Sequence, residues 1–219
     1  GEVFRQLCLL PHGLVLVAGA TGSGKTTTLA AMVDHLNSTR RAHILTLEDP
    51  IEFIHDPRLC LINQREVHRH THSFAAALRS AMREDPDVIL LGEMRDLDSI
   101  RLALTAAETG HLVLATVHTS SAARTLDRLV DVFPGEEKAM VRAMLSQSLQ
   151  GVVCQTLVKK VGGGRVAAHE IMLATPAIRN LIRENKVAQM VSAIQTGGAV
   201  GMQTLEMGLS RLREQGLIQ

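Results

Sequence analysis

The amino-acid pattern predicts an α/β fold, a mostly parallel sheet with helices on both faces, followed by a small helical subdomain. Three observations predict it. Short, continuously apolar runs recur through the first two-thirds of the chain, each followed by a helical stretch, the alternation that builds a parallel sheet covered on both faces. One of these strand-to-helix junctions carries a glycine-rich phosphate-loop pattern. From Thr175 onward strand signals cease and helical periodicity takes over.

The elements follow in order. "GLVLVAG" (13–19) has the unbroken apolarity of a buried parallel strand, and "KTTTLAAMVDHLN" after it places Leu29, Met32, Val33 and Leu36 at helical spacing. "HILTLEDP" (43–50) is a second strand, and "LCLINQREV" (59–67) suggests an edge hairpin or ribbon. "SFAAALRSAMRED" (73–85) is an amphipathic helix stopped by Pro86. "VILLG" is a third buried strand, "DLDSIRLALTAAETG" a helix closed by Gly110, and "HLVLATVH" (111–118) a fourth strand. Beyond residue 120, "AARTLDRLVDVF" and "EEKAMVRAMLSQSL" are consecutive helices. "GVVCQTLVKKV" and "RVAAHEIML" are strands joined by Gly162-Gly163-Gly164, a hairpin by composition. The rest is helical, with a break at Gly197-Gly198.

Bulk composition narrows the function. Lys and Arg number 23 against 22 Asp and Glu, so no global field favours nucleic acid or lipid. Four Phe, with no Trp or Tyr, disfavour binding by base stacking. The three cysteines, Cys8, Cys60 and Cys154, are far apart and odd in number, which supports neither a disulfide framework nor a zinc site. No apolar stretch approaches the ~18 residues of a membrane span, and no signal peptide opens the chain. A cytoplasmic protein is expected. Opening on Gly1 rather than Met, it reads as a piece whose preceding domain is missing.

The chemistry begins with "GATGSGKT", Gly19, Ala20, Thr21, Gly22, Ser23, Gly24, Lys25 and Thr26, followed by Thr27. Glycines let backbone N–H groups turn inward around phosphates at the positive end of a helix. Lys25 suits the β- and γ-phosphates, and the Thr26 hydroxyl suits Mg²⁺. The next strand runs out into "TLEDPIE", bringing Glu48, Asp49 and Glu52 to the carboxyl end of a sheet strand, the ligand side of such folds. "DVILLGEMRD" (87–96) ends its apolar run in Gly92-Glu93, where many ATP-hydrolysing P-loop proteins have Asp-Glu. With no Asp before it, Glu93 is the only carboxylate at its strand end, and we assign it with Thr26 to the metal. "GHLVLATVHTSSAA" has His111 at the start of its strand and His118 at the end, where a histidine can hydrogen-bond a γ-phosphate oxygen.

In this order and spacing the four pieces resemble the secretion-ATPase superfamily, whose marks are a Walker A loop, an acidic box, a Walker B ending in Gly-Glu and a histidine box. The match is closer still to the type IV pilus retraction ATPases: "EDPIEF", "NQREV", "ALRSAMREDPD", "GEMRDLDSIRLALTAAETGHLV", "GGGRVAAHEIM" and "AIRNLIREN" resemble that family nearly residue for residue. The loop departs from it where Ala20 precedes Thr21, since the family commonly has Pro there.

The resemblance implies a RecA-like P-loop core over 1–150, a strand hairpin completing it over 151–174, and a C-terminal helical subdomain over 175–219 carrying AIRNLIRE. It also implies a PAS-like domain preceding the core. ATP and Mg²⁺ are the implied cofactors, with Glu52 as catalytic base, Glu48 and Asp49 orienting around it, and His111 and His118 serving the histidine box. The implied assembly is a homo-hexamer acting on an inner-membrane pilus platform protein, and through it on the pilin filament. Its implied place is the cytoplasm, peripheral to the inner membrane at the pilus base.

Ring ATPases commonly meet transition-state charge with an arginine delivered in trans. Among Arg65, Arg69, Arg79 and Arg83, Arg83 is the leading candidate and Arg69 the second. If "HRHTH" is a strand, His68, His70 and His72 share a face, but no carboxylate or Cys completes a metal set. In "AIRNLIRE", Ala177, Ile178, Leu181 and Ile182 share one helical face and Arg179 and Arg183 another, with Thr175-Pro176 as N-cap and first turn. The family resemblance implies a role in retraction for that charged face. Two other readings stay open. Assembly or secretion ATPases of the superfamily usually carry a four-cysteine zinc insertion, and this chain has no C-x-x-C pair. A non-hydrolysing regulatory paralogue fits less well with Lys25, the acidic box, Glu93 and His118 all present.

Overall fold

The computed structural model describes residues 1–219. Seven strands form one sheet: β1 (Gly13–Ala18), β2 (His43–Glu48), β3 (Leu61–Glu66), β4 (Val88–Leu91), β5 (Leu112–Val117), β6 (Leu149–Lys159) and β7 (Arg165–Leu173). Their order is β3-β2-β4-β5-β1-β6-β7. The β3–β2, β2–β4 and β4–β5 pairs are parallel, whereas β6 and β7 form an antiparallel hairpin turning at the three glycines. Every residue of β1, β4 and β5 is buried, which is why these strands read as unbroken apolar runs.

The helices are α1 (Glu2–Cys8), α2 (Lys25–Thr39), α3 (Phe74–Ala81), α4 (Leu97–Glu108), α5 (Ala122–Asp131), α6 (Lys138–Ser148), α7 (Pro176–Arg183), α8 (Met190–Thr196) and α9 (Leu205–Glu214). Side-chain caps explain several starts: Ser73, Asp96, Ser121, Thr175 and Thr204 each accept a backbone N–H from the first turn. No helix is long and apolar enough to cross a membrane.

The chain divides into two compact units whose boundaries differ from those expected at 150 and 174. One comprises residues 1–16, 26–116 and 147–150; the other comprises 17–25, 117–146 and 151–219. Units follow contacts rather than chain order, so the phosphate loop groups with the hairpin and the C-terminal helices.

Three local expectations are corrected. Residues 59–67 form no hairpin: β3 is a single edge strand paired in parallel with all six residues of β2. Its alternating exposure is that of an edge strand with one open side. The helix expected over 73–85 ends at Ala81: the N–H groups of Arg83 and Glu84 then bond three residues back, to Ser80 O and Ala81 O, and Asp85 turns to a left-handed φ of 50° before Pro86. Helix α1 was not anticipated; Leu7 and Cys8 are its buried anchors.

Candidate functional site

In the first unit, Thr26, Glu48, Asp49, Glu52, Glu93 and Arg95 line one cleft, together with Phe53, His55, Phe74 and Thr116. The carboxyl ends of β2 and β4 bring the acidic residues together. Glu48 ends β2 and is buried, accepting hydrogen bonds from Thr46 Oγ1 (2.7 Å) and Gln64 Nε2 (3.2 Å). Asp49 and Glu52 are exposed in the loop that follows. Glu93, two residues beyond β4, is half-buried, and its carboxylate pairs with Arg95 at 2.6 Å. That pairing raises the Arg95 pKa, and Asp49 adds to the effect.

The glycine at position 92 has a steric cause. Its N–H donates to Leu47 O at 2.7 Å, and its own carbonyl accepts from Thr116 Oγ1. A Cβ there would lie 3.1 Å from Leu47 O and 3.3 Å from Glu48 Cα. An Asp before Glu93 would press into β2, which leaves Glu93 as the carboxylate at this strand end.

Side chains distant in sequence hold the Glu52 loop. Gln64 on β3 accepts from His55 N (2.9 Å) and donates to Phe53 O (2.8 Å). Glu66 accepts from Ile51 N at 3.0 Å, which holds its carboxyl below the usual range, with Arg69 assisting. Asn37, buried on α2, donates to Asp56 O and accepts from the Arg58 and Cys60 N–H groups. Gln64 and Glu66 went unassigned in the sequence because only the pairing of β3 with β2 brings them to the loop, and Asn37 because only the packing of α2 does. Arg95 was missed although it lies two residues from Glu93.

In the second unit, the phosphate loop is closed by its own lysine. Lys25 Nζ donates to Gly19 O (2.7 Å) and Ala20 O (2.8 Å) and lies 3.4 Å from His118 Nδ1. The side chain is buried by this folding back. The Ser23 hydroxyl is buried with no hydrogen-bond partner, an orphan that an added phosphate oxygen would satisfy. Gly24 has φ +86°, and a Cβ there would lie 2.7 Å from Gln155 Nε2. Thr21, Thr27 and His118 are exposed.

His111 is not a ligand-side residue. It immediately precedes β5, level with the start of β4 rather than with Glu93, because Val88 pairs with Leu112. Its buried ring sits 2.6 Å from Pro86 O through Nδ1, a satisfied packing histidine. Arg83 is exposed beyond the end of α3, ahead of β4, and Arg69 lies 3.5 Å from Glu66. The HRHTH stretch forms a turn in which His68 has φ 69° and His70 Nδ1 accepts from Glu66 N. On α7, Ile178 and Ile182 are buried as expected, but the Arg pair splits. Arg183 is exposed, whereas Arg179 is half-buried and donates to Ser146 O at 2.8 Å, with burial lowering its pKa.

Residues 1–163 match the family model described as "Type II/IV secretion system protein". The chain is 72% identical over 218 residues to the type IV pilus retraction ATPase PilT of Pseudomonas aeruginosa, spanning 100% of this chain and 63% of that protein. It is 63% identical to a twitching motility protein of Neisseria gonorrhoeae, over 99% of this chain and 58% of that protein. A crystal structure of the pilus retraction motor PilT with bound ADP superposes with a TM-score of 0.94 at 51% identity, covering 100% of this chain and 62% of that one. The chain thus spans about three-fifths of the lengths of these relatives. On the family match and these likenesses together, the chain belongs to the Type II/IV secretion system protein family.

Proposed function

We propose that this chain is the ATP-hydrolysing part of a hexameric motor that drives type IV pilus disassembly and twitching motility. The observation that carries the reading is the phosphate loop: Lys25 folded onto two loop carbonyls, with a buried, unpartnered Ser23 hydroxyl beside them. The likeness to an ADP-bound retraction motor supports the same nucleotide. On binding, Lys25 exchanges its carbonyl partners for β- and γ-phosphate oxygens, and His118 meets the γ-phosphate.

Thr26 and Glu93 line the same cleft and offer a hydroxyl and a carboxylate, hard oxygen donors of the kind Mg²⁺ takes. The ion, when bound, neutralises charge on the phosphates. Glu93 leaves Arg95 to take this role. Glu52, exposed in the same cleft, receives the proton of the attacking water on its carboxylate, while the buried Glu48 and its partner Gln64 fix the loop's start. Arg83 or Arg69 of a neighbouring subunit supplies transition-state charge. The platform protein of the inner membrane is the proposed partner, acting on the pilin filament. The engagement of Arg179 with Ser146 leaves Arg183 as the freer charge of α7 for partner contact.

Phosphate release by the full-length protein tests the reading, with Lys25→Ala as the control. Turnover that Lys25→Ala abolishes, with loss of pilus retraction in cells carrying that variant, is expected. Absence of ATP turnover in the full-length protein would contradict it.

A further inference from the structure

A buried side chain outside the loop pattern lies directly behind the phosphate loop. Gln155, in the middle of β6, is almost fully buried, and its Nε2 donates to Ser23 O at 2.6 Å. Its Oε1 lies 2.9 Å from His169 Nε2 on β7. Its backbone and side chain also fill the space behind two loop glycines. A Cβ at Gly19 would lie 2.5 Å from Gln155 O, and one at Gly24 would lie 2.7 Å from Gln155 Nε2.

The contact has a directional consequence. In a trans peptide the carbonyl and the following N–H point opposite ways. Fixing Ser23 O on Gln155 therefore turns the Gly24 N–H away from β6. Lys25 takes the Gly19 and Ala20 carbonyls, and Ser23 N–H is spent on Ala20 O at 3.1 Å. Gln155 thus restrains one loop peptide, Ser23–Gly24, whose N–H is to meet an anion.

The orientation of the amide is itself set from outside. A primary amide can flip, exchanging donor for acceptor. His169, donating through Nε2 to Gln155 Oε1, leaves only the NH₂ group to face Ser23 O. His169 is held in turn: its carbonyl accepts from Gln203 Nε2 (2.8 Å), and Gln203 Oε1 accepts from Arg211 on α9 (2.8 Å). Gly208 of α9 packs so close that a Cβ there would lie 2.8 Å from His169 O. A polar ladder runs from the phosphate loop through the hairpin to the last helix.

We infer that Gln155, with its amide oriented by His169, is a positioning residue for the phosphate loop, aiming the Gly24 N–H at the nucleotide's phosphates. This rests on the phosphate-binding role of the loop proposed above. A glutamine that only filled the core would have no reason to favour phosphate-bearing ligands.

The test is binding of fluorescent ADP and of adenosine to the full-length protein, with unfolding temperature measured on the same samples. Gln155→Leu keeps the volume but removes the donor, and should weaken ADP binding about tenfold. Adenosine binding should change little, while the nucleotide-free unfolding temperature should fall, because Ser23 O and the His169 ring each lose a buried partner. His169→Phe should give a smaller loss confined to ADP, and His169→Gln, which restores a donor, should recover part of it. If Gln155→Leu does not fold, His169→Phe carries the test alone. Wild-type ADP affinity in whichever of these variants folds, or equal losses for ADP and adenosine, would overturn the inference. Lys25→Ala separates the two readings: if it too binds ADP normally, the loop's role itself is wrong.

Discussion

The phosphate loop between β1 and α2 and the acidic loop after β2 are ordered differently. In the phosphate loop much of the restraint is local, with Lys25 reaching back five and six residues and glycines providing the backbone angles, and Gln155 adds one distant hydrogen bond. In the acidic loop the restraint comes from Gln64, Glu66 and Asn37, with Gln64 and Glu66 both on an edge strand. A local restraint is fixed once the helix forms. A distant one depends on a strand whose open side is free to respond to its surroundings.

If that contrast is right, substitutions in the phosphate loop should damage stability as well as binding. Gly24→Ala should have the largest effect, because it forces a side chain into φ +86° and into Gln155 Nε2. The left-handed strain and the overpacking together predict a loss of about 2–5 kcal/mol, read by denaturant unfolding. Gly92→Asp is the matching test in the cleft. Restoring the commoner Asp-Glu sequence should cost about 1–3 kcal/mol through the clash with Leu47 O, and a neutral result would show that β2 yields easily.

Gln64→Leu should act on catalysis with little change in stability. It leaves Phe53 O and His55 N to solvent and frees the Glu52 loop, so turnover should fall about tenfold while Mg·ATP affinity holds. The smallest effect expected is on thiol chemistry. Burial pushes Cys154 up to about 12 and Cys8 up to about 11, so neither should be alkylated in the native protein at pH 8. The sign is that of raised groups: their contribution is intact below the ordinary thiol pKa and declines as pH climbs towards 11–12.

The same contrast explains what was legible in the sequence. The parallel core was readable because β1, β4 and β5 are buried on both faces and, Thr116 apart, apolar throughout. The loop Gly19–Thr26 was readable because its chemistry occupies eight consecutive residues. Edge strand β3 resembled a hairpin because "LINQRE" lacks a two-sided apolar signature, and its partner is fixed only by the fold. His111 was assigned through the resemblance, although its place at the start of a strand already set it opposite His118; the register puts it level with the start of β4. Gln155 was invisible for a different reason: it is one polar residue in a strand, 132 positions from the carbonyl it holds.

The central claim is the division of labour between two carboxylates, Glu93 for the metal and Glu52 for the proton. The most direct measurement is Mg²⁺-dependent ATP affinity and turnover, side by side, for Glu93→Gln and Glu52→Gln in the full-length protein. We expect Glu93→Gln to weaken Mg²⁺-dependent binding, and Glu52→Gln to bind Mg·ATP normally while turning over about 10²–10⁴-fold more slowly. If Glu93→Gln instead binds Mg·ATP as well as wild type and Glu52→Gln keeps its turnover, the two roles are reversed.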